Sequence, residues 1–128
     1  MAGLTQITPF VRCRALEPQI AFYRDRLGFT VGFRDGNHAF LHRDAVAIRL
    51  IEVGETPEPA GTELSFYIDV DDIDQIYARM APQLSTLPKG RVRPPFNQPY
   101  GQREFHVLDE DGALVFFGEK IKDIPPGE

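Results

Sequence analysis

The feature that most constrains the fold is the order of its predicted elements, which runs strand, helix and three strands, and then starts again. Residues 7–13 alternate as a strand, and residues 18–27 have the apolar spacing of an amphipathic helix, which Gly28 ends. The three strands that complete the first half are predicted at 30–34, 38–42 and 45–53. Their connections are short and polar, which is typical of hairpin turns.

The second half repeats this order after a segment rich in proline and glycine at 54–61, which we interpret as a linker. A strand is predicted at 64–70, followed by a helix from about Ile73 to Met80 that Asp72 caps and Pro82 closes. Three more strands are predicted at 91–93, 103–108 and 113–118, the last two joined by a turn at 109–112. We therefore predict one α+β domain over residues 1–128, with βαβββ modules at about 5–54 and about 62–120 and the helices outside the sheet.

Composition narrows the function classes. The chain has 128 residues and a net charge of −5, which disfavours nucleic-acid binding because that requires clustered Lys and Arg. Its single cysteine, Cys13, excludes an internal disulfide and a cysteine-based metal site. No apolar run approaches the length of a membrane span, so we expect a cytoplasmic protein with no membrane partner.

Strand alternation separates two kinds of sheet face. In the first strand, Val11 and Cys13 share one side, which we assign to the helix-facing core, where a buried thiol would be inert. In the third strand, His38, Phe40 and His42 share the opposite side. This mixture of aromatic and polar groups suits a ligand surface, but it is equally typical of a solvated face of an antiparallel sheet.

Several motifs make the chain resemble the vicinal oxygen chelate superfamily of glyoxalases, bleomycin resistance proteins and dioxygenases. They are Ala-Phe-Tyr-Arg-Asp-Arg-Leu-Gly-Phe at 21–29, Val-Asp-Asp-Ile-Asp at 70–74 and Asp-Glu-Asp-Gly at 109–112. The segments at 31–35, 41–43 and 100–105 are most similar to bleomycin resistance proteins. The resemblance implies sheets that curl around a cleft, and a homodimer that binds its ligand in a crevice between subunits.

Enzymes of this superfamily hold a divalent metal through positions on the first and last strands of each module. Those positions fall here on Thr8, Arg49, Ser65 and Phe116. Arg and Phe cannot ligate a cation and hydroxyls are poor ligands alone, so we expect neither a metal nor another cofactor, and no catalytic residue. His38 and His42 share a face, but their Cα atoms would lie roughly 13 Å apart on one strand, too far to share an ion.

The resemblance implies sequestration of a small molecule, a bleomycin-type antibiotic or a related aromatic compound, without turnover. The residues expected to bind that ligand are Phe10, Phe33, His38, Phe40, Arg49, Ser65, Tyr67, Arg103 and Phe116. The arginines Arg49 and Arg103 would pair with an acidic group of the ligand or with Glu104, and Glu119 is expected to face solvent.

Arg49 is at odds with a purely cationic drug, so the identity of the ligand stays open. Two other hypotheses also stay open. One is a divergent enzyme of the same superfamily, a lyase, isomerase or dioxygenase with unrecognised ligands. The other is a structural or regulatory dimer with a vestigial pocket.

Overall fold

A computed structural model describes residues 2–55 and 64–121. The first module contains β1 (Phe10–Cys13), α1 (Leu16–Asp25), β2 (Thr30–Asp35), β3 (His38–Arg43) and β4 (Val46–Glu52). The second contains β5 (Ser65–Asp69), α2 (Ile73–Leu84), β6 (Val92–Asn97), β7 (Gln102–Leu108) and β8 (Leu114–Lys120). The predicted α+β fold with two βαβββ units is confirmed. Most of the predicted linker at 54–61 lies outside the described residues, so the linker and the module limits stay predictions.

Each module folds into its own four-stranded mixed sheet. The strand order is β1-β4-β3-β2 in the first sheet and β5-β8-β7-β6 in the second. Consecutive strands within β2–β4 and within β6–β8 are antiparallel, whereas β1 runs parallel to β4 and β5 runs parallel to β8. The helix after β1 or β5 carries the chain across the sheet, which lets the last strand of the module return beside the first in the same direction.

The helix-facing sides of both sheets contribute to one hydrophobic core. Val11 and Cys13 of β1 and Leu50 of β4 are fully buried, as the alternation predicted. Phe105 and Phe117 of the second sheet stack in the same core with ring centroids 4.7 Å apart. Burial raises the pKa of the Cys13 thiol to about 12, with nearby carboxylates adding to the effect, so the thiol stays neutral and unreactive.

Polar contacts join α1 of the first module to the β7–β8 turn of the second. The Tyr23 hydroxyl donates to Asp109 at 2.9 Å, and both side chains are buried. The side-chain carbonyl of Gln19, also buried, accepts from the backbone N–H of Glu110 at 3.2 Å. The backbone N–H of Arg14 donates to Asp111 at 3.2 Å. The sequence predicted this turn only as a hairpin, so its role in joining the modules is a finding of the structure.

The end of α2 differs from the prediction. Pro82 does not close the helix, which continues to Leu84. Proline has no N–H to donate to the preceding turn, so it removes one helical hydrogen bond there. Burial of Met80 and Leu84, which are 5% and 3% exposed, offsets that loss. The predicted Asp72 cap is confirmed, because its side chain accepts from the backbone N–H of Gln75 at 3.2 Å.

The prediction that Glu119 faces solvent is wrong. Its carboxylate accepts from the backbone N–H groups of Ile73 at 2.9 Å and Asp72 at 3.2 Å. A carboxylate at a helix N-terminus satisfies free N–H groups and interacts favourably with the helix dipole. Glu119 therefore links β8 to the start of α2.

Neither helix of the described chain is long and apolar enough to cross a membrane.

Candidate functional site

The open face of the first sheet, the side away from the core, carries a row of side chains across all four strands. The strand register places Phe10 opposite Arg49, Arg49 opposite Phe40, and Phe40 opposite Phe33. His38 lies on the same side of β3, two residues before Phe40. We call Phe10, Phe33, His38, Phe40 and Arg49 the first cluster. The sequence predicted all five as ligand-binding residues, and the structure brings them together.

The rings of the first cluster are stacked and partly open to solvent. Phe33 and Phe40 lie nearly parallel with centroids 5.8 Å apart, and Phe10 stacks on His38 at 6.0 Å. The Arg49 guanidinium lies 4.9 Å from the centroid of the Phe40 ring, and its Nη1 is 3.3 Å from Nε2 of His38. Phe10 is 56% exposed and Phe33 is 46% exposed. The cluster is thus a partly exposed group of aromatic rings with a cation held against it.

Gly32 explains how the Phe40 ring fits against β2. A Cβ atom at this position would lie 2.7 Å from Cδ2 of Phe40, closer than carbon atoms approach in proteins. The register between β2 and β3 also shifts between Val31 and Phe33, which is the mark of a β-bulge. The absence of a side chain at residue 32 leaves room for Phe40 to lie flat against Phe33.

The open face of the second sheet holds a different group of side chains. Tyr67 stacks on Phe116 with centroids 5.9 Å apart, and the His106 ring lies 4.2 Å from Phe116. Glu104 lies on the same side of β7, two residues before His106. We call Tyr67, Glu104, His106 and Phe116 the second cluster. Tyr67 and Phe116 were predicted as ligand-binding residues, Glu104 was considered only as a partner for the arginines, and His106 was not among the predicted ligand-binding residues.

Glu104 is the fully buried centre of the second cluster. Its Oε1 is 2.8 Å from Nε2 of His106 and accepts from Nε2 of Gln98 at 3.0 Å. Its Oε2 accepts from the Tyr100 hydroxyl at 2.5 Å. Burial raises the pKa of the Glu104 carboxyl, but hydrogen bonds from Tyr100, His106 and Gln98, together with the nearby Tyr67 hydroxyl, outweigh that effect, and the net pKa is lowered. Glu104 is therefore held as a carboxylate by its neighbours.

Gly118 allows Tyr67 to reach this carboxylate. Glu104 is opposite Gly118 in the strand register, and the Tyr67 ring crosses the space above that glycine. A Cβ atom at residue 118 would lie 1.9 Å from the Tyr67 hydroxyl oxygen. The hydroxyl donates to Oε1 of Gln102 at 3.1 Å. Alternation of Gln102, Glu104 and His106 along β7 was the signal that could have placed this polar group on the open face.

Two predicted ligand-binding residues lie outside both clusters. Ser65 is exposed at the start of β5, opposite Leu114, and joins no recorded side-chain contact of the described residues. Arg103 points to the helix side of its sheet, where its guanidinium pairs with Asp74 of α2 at 3.0 Å. The expected pairing of Arg103 with Glu104 is wrong, because neighbouring residues of a strand point to opposite faces.

The four positions that hold metal in enzymes of the resembled superfamily do not fit a divalent cation. Arg49 carries its own positive charge and Phe116 offers no lone pair, and these side chains pair in register with Phe10 and Tyr67. Within residues 2–55 and 64–121, no group of three or more His, Cys, Asp or Glu side chains is placed to hold an ion.

Two cavities lie between the strands of the two modules. One of about 380 Å³ is bordered by Ile7, Ala47 and Tyr67, among others. The other, of about 320 Å³, is bordered by Phe29, Ile76 and further residues. Neither includes the first cluster, which lies on an open sheet face. No recorded ring contact or hydrogen bond of the described residues joins the first cluster to the second.

Comparison with known proteins shows similarity along nearly the whole chain. A family model described as the Glyoxalase/Bleomycin resistance protein/Dioxygenase superfamily matches residues 3–117. A bleomycin resistance protein of Geobacillus stearothermophilus is 28% identical over an alignment 134 positions long, covering 93% of this chain and 99% of that protein. A solved bleomycin-binding protein in complex with bleomycin is 25% identical with a TM-score of 0.77, covering 92% of this chain and 100% of the other. The bleomycin resistance determinant encoded on transposon Tn5 is also 25% identical with a TM-score of 0.77, covering 91% of this chain and 98% of the other.

Proposed function

Because the chain belongs to the Glyoxalase/Bleomycin resistance protein/Dioxygenase superfamily, we propose that it binds and sequesters a small aromatic molecule of the bleomycin type, without metal and without turnover. Relatives that align over nearly their full length are bleomycin resistance proteins, and one of the similar structures contains bleomycin. The misfit of the four metal positions supports binding rather than metal-assisted chemistry by this route.

The observation that carries this proposal is the stacked, exposed aromatic surface of the first cluster. Monomeric soluble proteins rarely leave adjoining aromatic rings in solvent, and such patches mark sites where ligands or partners bind. Phe10 and Phe33 are about half exposed, and the Phe33 ring centroid lies 5.9 Å from the Arg49 guanidinium, so an aromatic ligand could contact both rings and the cation. Each ring stacked against a ligand contributes on the order of 1 kcal/mol beyond the area that it buries.

Titration with bleomycin tests this function. We expect saturable binding of metal-free bleomycin, one molecule per chain, with the drug recovered unchanged and no stoichiometric metal by elemental analysis. Phe33→Ala is expected to weaken binding about tenfold, which corresponds to about 1.4 kcal/mol, because a stacking surface is removed. The control is Phe33→Tyr, which keeps the ring and should bind like the original protein.

Three results would argue against this function. Binding of bleomycin that does not saturate would contradict a bleomycin-type ligand. Chemical conversion of the drug would indicate an enzyme. A stoichiometric metal ion, or stabilisation of the protein by metal alone in a thermal-shift assay, would contradict the metal-free proposal.

A homodimer is the second part of the proposal. Both clusters lie on open sheet faces, and Tyr67 and Tyr100 are also solvent-exposed, at 38% and 61%. The separation of the two clusters within one chain supports a crevice that a second copy completes. Sedimentation equilibrium should give about twice the chain mass of 14.5 kDa at micromolar concentration. A single species at the mass of one chain, with bleomycin bound, would reject the dimer and keep the binding function.

A further inference from the structure

Arg49 stands out on the first cluster because its charge is not compensated. Among the described residues, no carboxylate lies within ion-pair distance of its guanidinium. Its recorded side-chain contacts are with aromatic faces and with His38. Among the described arginines of the sheets, Arg34, Arg43 and Arg103 each pair with a carboxylate, whereas Arg12, Arg49 and Arg93 do not.

Arg12 adds a second positive charge to the open face beside Arg49. Arg12 lies on the same side of β1, opposite Ile51, and His38 contacts the Arg49 guanidinium directly. Among the described strand residues on this face, the acidic one is Asp35, which is opposite His38 at the far end of β2. The Phe33 and Phe40 rings exclude water from one side of the guanidinium, so an anion that approaches the other side meets less screening than it would in bulk water.

The donors of Arg49 are also available. Nη1 is shared with His38, whereas Nε and Nη2 have no recorded acceptor among the described residues. A guanidinium presents its N–H groups as a planar fork that matches two oxygens of a carboxylate, sulfonate or phosphate group. The contacts with the Phe40 ring and with His38 restrict the orientation of this fork, which lowers the entropy cost of ligand binding.

We propose that the open face of the first sheet selects an aromatic ligand that carries an anionic group, and that Arg49 is the residue that determines this specificity. The ligand ring would stack beside Phe10 and Phe33 while its anionic oxygens accept from Nε and Nη2 of Arg49. The inference rests on the proposed function only in taking this face as the ligand surface. It adds the sign of the charge that the ligand carries, and this specificity does not depend on which antibiotic is bound.

Two probes with the same ring and opposite charge test this specificity. They are 1-naphthalenesulfonate and 1-naphthylmethylammonium, titrated into the full chain by calorimetry at low and high salt. We expect the sulfonate to bind at least about tenfold more tightly, and this preference to shrink as salt screens the charge. Arg49→Gln should weaken sulfonate binding about tenfold and should not weaken binding of the ammonium probe, because a like charge is removed from its site.

Two further variants test whether the planar guanidinium is needed and provide a control outside the first cluster. Arg49→Lys keeps the charge without the fork, and it should retain part of the preference for the sulfonate. Arg34→Gln changes an arginine on the helix side of the same sheet, outside the first cluster, and should leave both affinities unchanged. Thermal unfolding of each variant checks that it is folded.

The outcomes separate this inference from the proposed function. Equal binding of the two probes, a preference for the ammonium probe, or a preference that survives Arg49→Gln would overturn the inference. If bleomycin still binds in that case, the proposed binding function is retained and only the charge specificity is rejected. If bleomycin does not bind but the sulfonate preference depends on Arg49, the drug class is wrong and the charge specificity is supported.

Discussion

Replacement of Asp109 by alanine is expected to lower the free energy of unfolding by about 3 kcal/mol. The Asp109 carboxylate is 2% exposed and accepts three hydrogen bonds. Oδ2 accepts from the Tyr23 hydroxyl, and Oδ1 accepts from the backbone N–H groups of Asp111 and Ala113, all at 2.9 Å. Alanine would leave these donors without partners in a site that is closed to water, and the full desolvation cost of each would remain.

The matched variant is Asp109→Asn, which keeps the shape and the two backbone contacts of Oδ1. The Tyr23 hydroxyl can still hydrogen-bond to the amide by rotating, so a loss of less than about 1 kcal/mol is expected. Urea unfolding of both variants measures the difference. Similar losses for alanine and asparagine would show that the charge, rather than the hydrogen bonds, carries the stability. No loss for alanine would contradict the role of this turn in joining the modules.

Asp109 also predicts a pH dependence. Burial raises the pKa of its carboxyl, and the hydrogen bonds from Ala113, Tyr23 and Asp111, together with the nearby Gln19 side chain, only partly reverse this. An acid whose pKa is raised on folding adds stability that is present below its ordinary value of about 3.9 and is lost as pH rises through the folded value. The stability of the original protein relative to Asp109→Asn should therefore fall as pH rises from about 4, and a constant difference would contradict this.

The second large effect is expected at Glu104. Glu104→Ala should lower the free energy of unfolding by about 3 kcal/mol, because it removes the shared acceptor of His106, Gln98 and Tyr100. It would also leave a cavity under Tyr67, which adds to the cost. Urea unfolding at neutral pH measures the loss. A change below about 0.5 kcal/mol would show that solvent replaces the carboxylate at no cost.

Glu104→Gln is the control that keeps the volume and removes the charge. Because the net pKa of Glu104 is lowered on folding, its charge adds stability above its ordinary value of about 4.3 that is lost as pH falls through the folded value. The advantage of the original protein over Glu104→Gln should thus shrink as pH falls from about 5 towards 3. This trend is opposite to the one expected for Asp109, so the two variants check one another.

A second measurement on Glu104→Gln follows the tyrosines. The pKa of Tyr100 is raised mainly by its hydrogen bond to Glu104, and the pKa of Tyr67 is raised by burial and then by the same carboxylate. Removal of the charge should move the ultraviolet titration of these phenols to lower pH. An unchanged titration curve would contradict the proximity of Glu104 to both hydroxyls.

The sequence by itself determined the order of the elements and the faces of most strands. Apolar alternation in β1 and β4 decides which side packs on the helices, because a shift by one residue would expose the whole apolar set. The same alternation therefore places Phe10, Phe40 and Arg49 on the open side. Turn residues and the motifs at 21–29 and 109–112 were sufficient to identify the superfamily. Turns and helix ends are formed by residues that are adjacent in the chain, so their signals can be recognised in the sequence without a structure.

Only the tertiary structure decided which distant polar groups meet. Glu104 gains its partners from a turn and from β5, Asp109 gains Tyr23 from the other module, and Glu119 reaches the start of α2. The pairings of Asp109 and Glu119 join residues far apart in the chain, which the packing of the modules brings together, whereas the turn between β6 and β7 brings Tyr100 to Glu104 over a separation of 4 residues. The end of α2 was also decided by the tertiary structure. Pro82 is a local signal that the helix should end, but burial of the last turn of α2 outweighs it.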